Sequence, residues 1–255
     1  MKNKNWIYPL IVIGIFLLFN YGCKPDDKYE LPSGFGAGPN ATDIEGHVYH
    51  SLIFGTQTWL VEKLKTTKYR NGDLIGTTTP ATLDITGEKE PKYQWAYNGV
   101  EDSAAIYGRL YTWYAVTDTR EVCPVGWHIP SDYEWTTIED YLIANGYNYD
   151  GTTAGNNIAK AMASKTTWIL SANTGAVGNT DYPNYRNKSG FSALPGGYRN
   201  FDGAFLNGGI SDDWWSSTEG SSDNAWFRNL YNSYSDVYRD TYQKSAGFSV
   251  LCLKD

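Results

Sequence analysis

The residues able to do chemistry in this chain fall into a few small groups. The most concentrated is 211–226, SDDWWSSTEGSSDNAW, where Asp212, Asp213, Glu219 and Asp223, with Asn224, offer oxygen ligands. Calcium takes about six to eight such ligands, and this segment has enough in number to build such a site. A solvated acidic loop is the simpler account of the same residues. His128 would serve as a general base only if an acid and a nucleophile converged on it, and between Trp127 and Pro130 it reads instead as a packed, hydrogen-bonding residue. Asp132 and Glu134 have the types of an acid–base pair, but Glu134 stands three residues after Ser131, where it completes a capping box. His47 and His50 lie close together with no cysteine to complete a structural zinc pattern, so they read as ordinary surface or strand residues. These groups imply no catalytic residue and no cofactor, calcium aside.

The stronger signal is for binding. The chain of 255 residues carries 21 Tyr and 10 Trp, and its last third sets them among Asn, Ser and Asp. Flat apolar rings beside hydrogen-bonding groups suit a saccharide or another protein. Tyr182, Tyr185, Trp215 and Tyr234 are the leading candidates, and Tyr198, Tyr231 and Tyr238 belong to the same set. At least half of such rings must fill the core. Trp214 and Trp215 cannot share a face if they lie in a strand. The expected partner is an extracellular glycan, with an envelope protein as the alternative and a divergent enzyme third. A formal charge of −7 disfavours nucleic acid, which calls for a basic footprint.

Several elements must position these residues. Ser131 and Glu134 start a helix whose stripe is Trp135, Ile138 and Leu142, with Gly146 as its stop. A second helix is expected from Ser103 through SAAIYGRLYTWYAV, weakened at Gly108, and a short one over 154–164. Two short strands flank Phe54-Gly55-Thr56-Gln57. The long irregular region 147–187 reads as an exposed or functional loop. From Phe191 onward strands and glycine turns dominate, and Phe248, Val250 and Cys252 should share one face. The sum is an α+β domain with small, mostly antiparallel sheets and two or three helices.

The amino terminus reads as targeting sequence. Lys2 and Lys4 precede the apolar run Ile7 to Phe19, and Cys23 follows, so 1–23 is a signal segment. Cys23 resembles the lipid-attachment cysteine of bacterial lipoproteins, although Asn20 stands where that family usually has Leu. Residues 24–43, rich in Pro, Gly and acids, form a tether to a domain over 44–255. Exported and lipid-anchored at the outer membrane or cell surface, the protein would meet the membrane through its lipid alone. With Cys23 acylated, Cys123 and Cys252 remain, either joined or buried as separate thiols.

Six ordered blocks carry a resemblance: 55–72, 107–116, 123–135, 190–199, 214–218 and 247–255. Together they are similar to the Fibrobacter succinogenes major paralogous domain family over nearly all of 44–255. That family is common among exported, lipid-anchored bacterial proteins. Lys63 and Leu251 stand where it often has Asn and Arg, departures that read as lost surface contacts. More distantly, the 130–135 block is similar to one in formylglycine-generating enzymes, and the pair Cys123 and Cys252 to the long-range disulfide of C-type lectin-like domains. The resemblance implies a compact, irregular fold of that kind. It does not carry over the chemistry, because the redox cysteine pair and the sugar-and-calcium motifs of those families are missing.

Overall fold

Ser131 begins the longest helix among the described residues as its spacing predicts. Its backbone N–H donates to Glu134 Oε2 at 2.7 Å, and Glu134 N–H donates to Ser131 Oγ at 3.3 Å. The helix Asp132–Ala144 buries Trp135, Ile138 and Leu142 and gives way at Asn145, before Gly146 at φ 72. This computed structural model describes residues 36–255. The signal segment 1–23, with Cys23, and the first part of the tether lie outside the described residues.

Residues 36–43, read from composition as the end of the tether, bond into the domain. Ala41–Thr42 pairs with Val48–Tyr49, and Gly38 N–H donates to Ser51 O at 3.0 Å. The strands Ser51–Phe54 and Gln57–Leu60 form the expected hairpin, with Gly55 at φ 62 making the turn. Leu253–Lys254 then lies between Gln57–Leu60 and Trp127–His128, so early, middle and final segments share one sheet. A second sheet joins Gln94–Trp95, Leu110–Thr112, Gly247–Phe248, Tyr198–Arg199 and Phe205–Leu206 in that order. The third consists of Ser211–Glu219, Asn224–Tyr231 and Tyr238–Gln243. Pairing within every sheet is antiparallel, which makes the domain α+β with small, irregular, mostly antiparallel sheets.

The helix count differs from expectation. Four α-helices are present among the described residues: Glu101–Tyr107, Trp113–Val116, Asp132–Ala144 and Ala159–Met162. The helix expected to run through 103–116 is split at Gly108, which sits at φ 71, 2.9 Å from Leu64 O and 2.5 Å from Lys63 Cβ for any added Cβ. That close approach turns the chain into the strand Leu110–Thr112 before one further helical turn. The helix expected over 154–164 shrinks to a single turn within a long loop.

Two cross-links hold the distant parts together. Cys123 and Cys252 form a disulfide with Cα atoms 6.0 Å apart, closing a sequence separation of 129. Chain entropy puts such a link at about 4–5 kcal/mol. In the 147–187 loop the fully buried Lys160 donates to Asn179 O and Asp181 O, both at 2.7 Å, and pairs with the Asp181 carboxylate. The loop is therefore tied down by a buried ammonium rather than by regular structure.

Candidate functional site

The three-stranded sheet Ser211–Glu219, Asn224–Tyr231, Tyr238–Gln243 has two different faces. Directly paired residues on antiparallel strands project to the same side. One side therefore carries Trp214, Arg228 and Arg239, in register across the three strands, together with Asp212 and Leu230. This side meets the long helix. Trp214 stacks on Trp135 at 5.6 Å, and buried Arg228 pairs with Asp132 at 2.7 Å and with Glu139. Burial raises the Glu139 pKa in spite of Arg228. For Asp132, burial is outweighed by Arg239 and Arg228, which hold its carboxyl below the usual range.

The opposite side carries Ser211 with Tyr231, Asp213 with Asn229 and Tyr238, Trp215 with Phe227, and Ala225 with Tyr242. Together with Tyr198, Asn207, Tyr234, Asp236 and Phe248, many of these residues line a cavity of about 510 Å³. Its walls are rings in mutual contact. Phe248 lies 5.1 Å from Phe227, 5.3 Å from Tyr242 and 5.5 Å from Tyr198, and Tyr231 lies 5.6 Å from Tyr234. Tyr234 is 57% exposed and Tyr238 47%, so they mark the rim. At the buried end, Asp213 accepts hydrogen bonds from Ser211 Oγ at 2.5 Å and Asn229 Nδ2 at 2.6 Å. Burial pushes the Asp213 carboxyl up to about 6, with those two bonds only partly opposing it. The whole is an aromatic cup with a carboxylate in its floor.

Of the aromatic candidates, Tyr234 reaches this cup and Trp215 does not. Trp215 is fully buried, donates its Nε1 proton to Tyr111 O at 2.8 Å and stacks on Phe248 at 4.4 Å. It supports the cup from beneath, a correction to its reading as a ligand contact. Tyr182 and Tyr185 belong instead to the 147–187 loop. There Tyr182 packs 4.8 Å from Tyr149, and the Lys188 ammonium sits 4.3 Å over the Tyr185 ring.

The four acidic residues considered for calcium are dispersed. What was read as a loop is largely strand, and alternation sends Asp212 and Asp213 to opposite faces. Asp212 is fully buried with Lys63 Nζ at 2.6 Å, and burial raises its carboxyl to about 7 even so. Glu219 pairs with Lys244, and Asp223 is exposed in the turn. Among the described residues no three His, Cys, Asp or Glu side chains come together as a metal site. Lys63 and Leu251, read as lost surface contacts, are both buried, and Lys63 is held in this ion pair.

A second cavity, of about 580 Å³, borders the disulfide and includes Arg70, Asp118, Glu121, Cys123 and His128. Its charges are already matched. Arg70 pairs with Glu121, while Asp118 meets Arg120 and Lys92, each at 2.8 Å. His128 bonds Asp255 through Nδ1 at 2.7 Å and Glu134 through Nε2 at 3.1 Å, so both ring nitrogens are engaged by carboxylates. His47 and His50 are likewise bonded to Asp43 and Glu62, at 2.8 and 2.6 Å.

Phe227, Asn229, Tyr242 and Phe248 were not among the sequence candidates, because which side of the sheet they face depends on strand pairing. Their signal was the period of two in Ala225, Phe227, Asn229, Tyr231 and in Tyr238, Asp240, Tyr242. The geometry defines an irregular α+β domain with an aromatic recess built on a three-stranded sheet. By its sequence the chain belongs to the Fibrobacter succinogenes major domain family, whose model matches residues 53–254. No curated protein and no solved structure matches it.

Proposed function

We propose that this chain is an exported, lipid-anchored surface protein whose domain binds an extracellular glycan without chemical turnover. The observation that carries the reading is the aromatic cup, about 510 Å³ in volume, with ring faces on its walls and Asp213 and Asn229 in its floor. Sugar rings present apolar C–H faces for stacking and hydroxyls for a carboxylate or amide, and this recess offers both. The anchor rests on the basic start, the apolar run and Cys23.

The test is calorimetric titration of the full-length protein, kept in detergent, against a panel of bacterial, plant and host polysaccharides. Saturable binding that Tyr234→Ala weakens at least tenfold, roughly 1.4 kcal/mol, supports the reading. Absence of binding across the panel overturns it and makes a protein partner the first alternative. Incorporation of radiolabelled palmitate that disappears in Cys23→Ser tests the anchor separately.

A further inference from the structure

The cup's floor holds a carboxylate with no ion pair among the described residues, and Lys63, which is bonded to the neighbouring Asp212, acts on it only through space. Other buried carboxylates of the domain each meet a cation or a histidine: Asp212 meets Lys63, Glu139 meets Arg228, Asp118 meets Lys92 and Arg120, and Asp43 meets His47. Asp213, only 4% exposed, has two neutral donors, Ser211 and Asn229, and no ion pair among the described residues. Burying a carboxylate without a counter-charge is costly, and two neutral hydrogen bonds recover only part of the cost. A second acid, Asp236, also lines the recess, whereas no lysine, arginine or histidine does. The intervening walls are aromatic, and ring faces attract cations.

We propose that the cup selects a saccharide bearing a free ammonium group, an unacetylated amino sugar, whose cation sits between the ring faces and faces Asp213 and Asp236. This rests on the reading of the cup as a sugar site and adds the charge of the sugar. A neutral sugar would leave the Asp213 charge as it stands in the empty cup. An N-acetylated one would bring an amide where the floor calls for a cation.

The experiment titrates full-length protein in detergent with three short oligosaccharides of matched length, at neutral pH and about 0.15 M salt. One is a glucosamine oligomer with free amines, one its N-acetylated counterpart, and one a neutral glucose oligomer. The glucosamine oligomer is expected to bind at least tenfold more tightly than the other two. That preference should shrink in Asp213→Asn and in the half-buried Asp236→Asn, the latter keeping the proposal testable if the former misfolds. Equal binding of all three overturns the ammonium inference and leaves the sugar reading intact. Binding of none overturns the ammonium inference, while the sugar reading stands or falls on the polysaccharide panel. A preference that survives in both variants reflects only the overall negative charge of the chain, and it too overturns the inference.

Discussion

The two faces of one three-stranded sheet treat buried charge in opposite ways. Toward the long helix, Arg228 is closed in by Asp132 and Glu139, and Asp212 by Lys63, so each charge has a partner contributed by another element. Toward the cup, Asp213 shares its strand with Asp212 but is held by the neutral donors Ser211 and Asn229, with no ion pair among the described residues. Adjacent residues of identical type thus differ because strand alternation delivers them to different surroundings. The first face is organised to hold the domain together. The second holds its buried carboxylate on two neutral donors, without an ion pair.

That contrast is open to attack, beginning with the largest effect. Arg228→Ala leaves Glu139 buried without its cation, and denaturant unfolding should show a loss of about 3–5 kcal/mol. A loss below about 1 kcal/mol would mean the helix face does not depend on this charge network. Asp213→Asn should act in the opposite direction. The Asp213 carboxyl has a folded pKa of about 6, against an ordinary value of 3.8, so below about pH 4 it is protonated in both folded and unfolded chains and costs nothing. As pH rises through that window the unfolded chain ionises first, and wild-type stability falls. The neutral variant escapes that fall. It should gain on the order of 1–3 kcal/mol over wild type at neutral pH and nothing near pH 3, measured by urea melts at both. A stability unchanged at neutral pH as well would remove the distinction between the two faces. Tyr234→Ala, at the exposed rim, should change stability by less than about 0.5 kcal/mol while reducing ligand affinity.

Much of the scaffold was legible because it is encoded locally. The capping box of Ser131 and Glu134, the stripe of Trp135, Ile138 and Leu142, and the turn at Gly55 each depend on residues a few positions apart. The opposite facing of Trp214 and Trp215 was legible too, though not that both sides would be covered. The break at Gly108 was not legible, because the tight approach of Lys63 and Leu64 that exploits it comes from a distant segment. The cup was half legible. Its aromatic composition showed in the sequence, but whether a given ring is wall, rim or foundation depends on strand register. Trp215 and Tyr234 could not be separated before Phe248 was seen to stack on the former. Lys63 was equally opaque, since its partner Asp212 lies in another element across most of the domain.

The disulfide has one more consequence, for what a protease can do to this domain. The helix Asp132–Ala144, the irregular 147–187 loop and the cup strands all lie between Cys123 and Cys252. A single backbone cut anywhere in that interval, including the exposed loop where cleavage concentrates, leaves the two fragments covalently attached. The nicked protein would run as one band on a gel without reductant and as two with it. The amino-terminal fragment would keep hold of the cup after the polypeptide itself had been severed.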